Sequence, residues 1–264
     1  MTPFLFVFAL FGLDLAQAQD WRTADRSSAG LAPRPQDEKR AVVQMYAARV
    51  IGWKGTFGVH SWIAVKEKDA TFYERLEVIG YRARRGLEVV VVHQAEPDGR
   101  WFGAEPELLR DLRGASAERA IPKIKAAAAS YPYPKEYRVW PGPNSNSFVS
   151  HILRQVPEIG VELPANAVGK DWIGRGAPFG LSETRTGIQF SLFGLLGLTL
   201  GLGEGIEFNF LGATFGIDFL RPALKLPMVG RVGMQDKPIF ADDDETPLDQ
   251  SETQPLVIER EPKP

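Results

Sequence analysis

Hydrophobic and polar positions change their rhythm several times along the chain. From Ala41, short apolar runs broken by polar residues predict strands at Val42–Tyr46, Thr56–Val65, Arg75–Tyr81 and Leu87–His93. The last is nearly all valine, which predicts burial on both faces, and Arg82–Gly86 before it has the length and glycine of a hairpin turn. The rhythm then lengthens. Glu105–Leu112, with Pro106 in its first turn, and the alanine-rich Ala117–Ser130 read as helices, the second stopped by Tyr131-Pro-Tyr-Pro134. Tyr137–Trp140 reads as a short strand before the turn Pro141-Gly-Pro143. A helix over Ser145–Val156 follows, with Phe148, Val149, Ile152 and Leu153 on one face and Pro157 as its stop.

Residues 187–229 differ in kind. Gly187–Leu202 is apolar and glycine-rich, Gly203-Glu-Gly205 is a turn, and Ile206-Glu-Phe-Asn-Phe210 alternates at period two. The pattern predicts a glycine-rich β-hairpin packed on the body. Apolar stretches of about 16 residues fall short of the ~20 that a spanning helix needs, so the membrane alternative is peripheral contact through 187–220. Strands first and helices next make the class α+β.

Composition narrows the function classes. The net charge is −2, but residues 241–264 hold eight acids against two bases, which leaves a body at +4. That is too weak a basic field to argue for nucleic acid. With no cysteine, disulfides, thiolate metal sites and cysteine nucleophiles are excluded. The three histidines lie far apart, so no metal site is assigned, and the glycines at 201, 203 and 205 lack the strand–helix setting of a nucleotide loop, so no cofactor is assigned. At the N-terminus, the apolar run Phe4–Leu13 followed by Ala16-Gln-Ala18 has the form of a secretory signal with cleavage after Ala18, or of an anchor. The chain is therefore expected to be exported, to the periplasm or cell envelope.

Two segments carry the candidate chemistry. Ser145 follows a rigid turn at a predicted helix start, where the macrodipole and free backbone N–H groups favour a nucleophile and its oxyanion. Asn144, Ser145 and Asn146 are equally the residues a helix N-terminus takes as its cap. Upstream, alternation along Gly58–Val65 puts His60, Trp62 and Ala64 on one side of a strand and Val59, Ser61, Ile63 and Val65 on the other. His60 is the candidate base or a histidine at the sheet rim, and Glu77 on the next strand is its candidate orienting group. His151 lies about 120° around the helix from Ser145, away from its face.

Across residues 41–230 the chain resembles an exported bacterial family, the "domain of unknown function thirty-seven-fifty" family. The matching segments are Tyr46–Arg49, Gly58–Ile63, Arg100–Gly103, Pro141–Asn146 and Leu192–Leu196. More distantly, His60 followed by Asn144-Ser-Asn-Ser-Phe-Val149 is similar to permuted papain-like proteins, the lecithin:retinol acyltransferase and NlpC-type group, with Ser145 in the place of their cysteine. That resemblance implies a permuted papain-like core in which Ser145 is nucleophile, His60 base and Glu77 orienter. Trp62, Trp140, Asn144 and Asn146 would line the groove. The substrate would be an amide or ester of an envelope component such as peptidoglycan peptide or lipid. A serine hydroxyl, unlike a thiol, is not stored as the anion and must lose its proton during attack. The residues therefore fit a serine-type hydrolase or acyltransferase, or a non-catalytic binding scaffold using the same groove. The expected division is a signal at 1–18, a linker at 19–40, the papain-like domain at 41–180, a β-rich extension at 181–230 and a disordered acidic tail at 231–264.

Overall fold

A computed structural model describes residues 22–174 and 177–239; the expected signal at 1–18 lies outside them. The fold is α+β, built on two antiparallel sheets. The first has five strands: β1 (Val42–Arg49), β2 (Val59–Lys66), β3 (Glu74–Val78), β4 (Val90–Gln94) and β5 (Glu107–Arg113), in the spatial order β4-β3-β2-β1-β5. β1 is buried on both faces. Val43, Met45 and Ala47 join the larger core, which holds the helices, while Val42, Tyr46 and Ala48 join a smaller one around Trp62.

Helix α1 (Gly114–Ala129) forms where alanine dominates, and α2 (Ser145–Gln155) where predicted, with Phe148, Val149, Ile152 and Leu153 in the larger core. On the opposite face the chain segments around 22–40 and 95–105 cover the sheet. Trp62 Nε1 donates to the Pro97 carbonyl at 2.7 Å, Tyr73 Oη to the Pro33 carbonyl at 2.9 Å, and the Asp98 carboxylate accepts from Leu31 and Ala32 N–H.

Three local expectations change. Glu105–Leu112 is a strand, not a helix. Leu108, Leu109 and Leu112 mimic helical spacing, but pairing with β1 through a register shift at Met45/Tyr46 places Leu108 against the smaller core and Leu112 in the larger. β4 is an edge strand with Val92 exposed, so its valines are not buried on both faces. Tyr137–Trp140 forms no strand; Arg138 N–H closes back on the Pro143 carbonyl, and both X–Pro bonds of the turn are cis.

The second sheet replaces the expected hairpin with seven strands: β6 (Phe179–Leu181), β7 (Gly187–Leu192), β8 (Leu196–Gly201), β9 (Gly205–Phe210), β10 (Ala213–Asp218), β11 (Ala223–Leu226) and β12 (Gly230–Gly233). They form one meander in sequence order. Its alternation is inverted. Gln189, Ser191, Thr199, Glu207, Asn209, Thr214, Asp218 and Lys225 point inward and are buried, while Leu198, Ile206, Phe208, Phe215 and Ile217 point outward into solvent.

The inner face is held by charge. Lys170 Nζ lies 2.9 Å from Glu207 and 3.4 Å from Glu162, and Lys225 Nζ lies 3.1 Å from Glu207 and also bonds Glu162. Asp171 accepts from Gln189 at 2.8 Å and from Asn209, and Arg154 donates to Gln189 and to the Leu181 carbonyl. Burial and the neighbouring Glu207 push the Glu162 carboxyl up. Burial acts the same way on Glu207, but the charges of Lys170 and Lys225 outweigh it and hold that carboxyl down. Replacing one cation strands a buried carboxylate, so Lys170→Met is expected to cost about 3–5 kcal/mol in urea denaturation. A loss under about 1 kcal/mol would show that the cluster does not hold the inner face.

Candidate functional site

The N-terminus of α2 is fixed by a cap. Asn144 Oδ1 accepts the N–H groups of Asn146 (2.9 Å) and Ser147 (3.1 Å), and Ser147 Oγ accepts from Asn144 N–H at 2.7 Å, closing a capping box. Asn144 Nδ2 also donates to the Val139 and Val168 carbonyls. This packing is tight enough to need glycine at 169, where φ is +95° and a side chain would run into Asn144. The cap among the three candidates is therefore Asn144. Because it takes the Asn146 N–H, that group is not free to stabilise an oxyanion.

Asn146 is the pin between helix and sheet. Its Oδ1 accepts from Ser61 Oγ at 2.9 Å, and its Nδ2 donates to the Val59 and Val168 carbonyls. The side of β2 that meets α2 is thus the side of Ser61. Val59 and Ile63, on that side, lie in the helix core. His60 and Trp62 lie on the other face, as alternation requires. The structure does not bring Ser145 and His60 together: the first sheet stands between them. Ser145, 5% exposed, sits in the first turn of α2 on the helix side.

What His60 does meet is Glu77. Its Nε2 lies 2.9 Å from Glu77 Oε2, a contact made by an imidazole turned away from the serine. Arg75 and His93 complete the cluster, each 3.0 Å from Glu77 Oε1. The Trp101 ring stacks on His60 at 3.6 Å, and the Arg75 guanidinium lies over Trp62 at 3.9 Å. Burial pushes the His60 imidazole down despite the carboxylate beside it, so it is neutral near pH 7 and donates from Nε2. Burial alone would raise the Glu77 carboxyl, but the hydrogen bonds from His60 and His93 and the charge of Arg75 hold it well below the usual carboxylate range.

Neither tryptophan lines a shared groove. Trp62 is fully buried in the smaller core, and Trp140 is half exposed against the β9–β10 turn, its Nε1 donating to the Leu211 carbonyl at 2.8 Å. Arg75, His93 and Trp101 are cluster members that sequence reading did not assign. For Arg75 and His93 the signal is register, since Arg75 and Glu77 alternate with the core residues Leu76 and Val78, and His93 pairs opposite Arg75; Trp101 lies outside the strands.

The largest feature is the outer face of the second sheet. Paired residues build a continuous aliphatic row, in which Leu181 neighbours Ile188, Ile188 neighbours Leu200, and Leu200 neighbours Ile206. Ile217, Leu224 and Val232 follow. A second row runs from Phe179 through Phe190, Leu198 and Phe208 to Phe215. Apart from the half-buried Phe190, each is substantially exposed, Ile188 by 62%. Among the described residues no helix is long and apolar enough to cross a membrane.

Two outcomes follow from this geometry. Asn144→Ala removes the cap and is expected to cost about 1–2 kcal/mol, more than Ser145→Ala, whose hydroxyl takes no part in the capping box; denaturant melts compare them. The folded-state pKa of His60 is depressed, so below the ordinary histidine range the unfolded chain takes up protons first and stability falls as the pH falls. The urea midpoint is expected to drop between about pH 7 and pH 5.5. His60→Gln should flatten that slope, with a remainder from His151, which burial also pushes down.

A family model described as a protein of unknown function (DUF3750) matches residues 40–172. No curated protein and no solved structure matches the chain. The matched stretch takes in the whole first sheet, both helices, the capped turn and the Glu77 cluster, and ends just after the buried lysine and aspartate that hold the second sheet. It covers half of the chain, which therefore belongs to the DUF3750 family.

Proposed function

We propose that this chain is a non-catalytic binding protein of the cell envelope, and that its working surface is the outer face of the second sheet rather than the turn at Ser145. One observation carries the reading: a seven-stranded sheet that buries its polar side and turns two apolar rows to the outside. A monomer's largest apolar patch measures a few hundred Å², and this face is on the order of 1,000 Å². Side chains that would make a core in an ordinary sheet here await an apolar partner.

Export is supported by Phe4–Leu13 and Ala16-Gln-Ala18 in the sequence. The permuted papain-like reading of the scaffold draws support from the hold of α2 on β2 through Asn146. Chemistry on that scaffold loses support. The strand presents Ser61 to the helix where a hydrolase or acyltransferase would need an imidazole, and the N–H of Asn146 is spent on the cap.

Two measurements test the reading. A serine-directed fluorophosphonate is expected to leave the full chain unlabelled, and labelling abolished by Ser145→Ala would overturn the non-catalytic assignment. Anilinonaphthalene sulfonate should fluoresce strongly with the native chain. With the triple variant Leu198→Thr, Ile206→Thr, Phe208→Thr the signal should fall about three-fold or more at unchanged near-ultraviolet circular dichroism, as three central side chains leave the patch. An equal signal from both chains would remove the outer face as the working surface.

A further inference from the structure

We infer that the occupant of the outer face is a phospholipid surface, and that the second sheet docks face-on into a single leaflet. This rests on the reading of that face as the working surface and names its partner.

The face lacks what a protein partner would use. Between Gly187 and Ile217 the outward side chains are aliphatic or phenylalanine, with alanine at 213, and none carries a hydrogen-bonding group. The charged residues in that span, Glu204 and Glu207, are buried to 1% and 2% exposure. A protein interface carries about one hydrogen bond per 100–200 Å² and a polar rim. Hydrocarbon asks for neither. Polar-in, apolar-out alternation is the pattern strands adopt when lipid lies outside them.

The ends of the sheet carry the same preference. Phe193 and Leu211 at two turns on one side, and Leu202 and Phe219 on the other, are all exposed. A second copy stacked on the sheet would cover the rows and leave these turns in water. The first half of the chain adds its own exposed aromatics at the end that holds Phe193 and Leu211. Trp140 is bonded to the Leu211 carbonyl there. The loop bearing Trp53, 74% exposed and followed by Lys54, is tied to the β11–β12 turn by Arg49, which donates to the Met228 carbonyl at 2.9 Å and to Gly55 within the loop. Exposed tryptophan beside lysine at the margin of an apolar surface suits the headgroup layer.

Geometry sets the mode. The six-residue strands β7 to β10 reach roughly 20 Å, against a hydrocarbon core of ~30 Å, and among the described residues the meander has two open edges, β6 and β12. An open sheet cannot span, because its edge groups would lose their hydrogen bonds. Lying flat, with only its side-chain layer in the acyl boundary, it keeps both edges at the hydrated level.

Flotation of the full-length chain with vesicles tests the proposal. The chain is expected to co-float with phosphatidylcholine vesicles with or without phosphatidylglycerol, and the folded triple variant Leu198→Thr, Ile206→Thr, Phe208→Thr to bind about ten-fold less or weaker still. Failure of the wild type to float overturns the proposal. So does equal flotation of the two chains, which would place the contact elsewhere, such as the apolar run at residues 4–13. A lipid-free dimer that the triple variant splits would make the occupant a second copy, keeping the outer face as working surface but refuting lipid. Should the variant not fold, brominated phosphatidylcholine supplies the second measurement. It should quench wild-type tryptophan emission, and Trp53→Phe with Trp140→Phe should cut that quenching about two-fold. No quenching in the wild type overturns the proposal.

Discussion

Two lysines and two glutamates, Lys170, Lys225, Glu162 and Glu207, sit in a space with almost no water access and answer one another's charge. Burying an unpaired ion costs far more than burying a pair, so each member is tolerable only while the others are present. Glu207 and Lys225 belong to the second sheet, while Glu162 and Lys170 belong to the segment that follows α2. The cluster therefore fastens the two halves of the molecule through charge and hydrogen bonds. Once the inner face is committed to polar groups, period-two alternation leaves the apolar set only one side to occupy.

Much of the first half was legible. Four strands, both helices and the turn before α2 stand where periodicity and proline place them, and the faces of β2 are those that alternation assigns. What alternation could not say is which face the helix covers. That choice depends on Asn146 reaching Ser61, a contact spanning 85 positions of sequence, and it decides whether His60 can serve Ser145. The helix expected at Glu105–Leu112 failed for a related reason, since pairing with β1 outweighed a leucine spacing that suits either element.

In the second half the sequence shows the kind of structure but not its extent. A strand is visible at Ile206–Phe210, but alternation is local and does not distinguish a hairpin from a seven-stranded meander. The orientation was hidden too. Glu207 and Asn209, read alone, look like the wet side of a strand, and only their partners Lys170, Lys225 and Asp171 show them to be the dry one. The Glu77 cluster is half-visible for the same reason: His60 lies on the neighbouring strand, but His93 and the covering Trp101 arrive from β4 and a loop.

The turned-out rows also set how the molecule responds to heat and denaturant. Unfolding raises heat capacity, and the denaturant slope grows, in proportion to the surface newly given to water. A sheet whose leucines and phenylalanines already meet solvent in the native state has less to release. Per residue, its half of the chain should contribute a smaller heat-capacity increment and a shallower slope than the helix-backed half, giving this fold a broad, flat stability curve for its size.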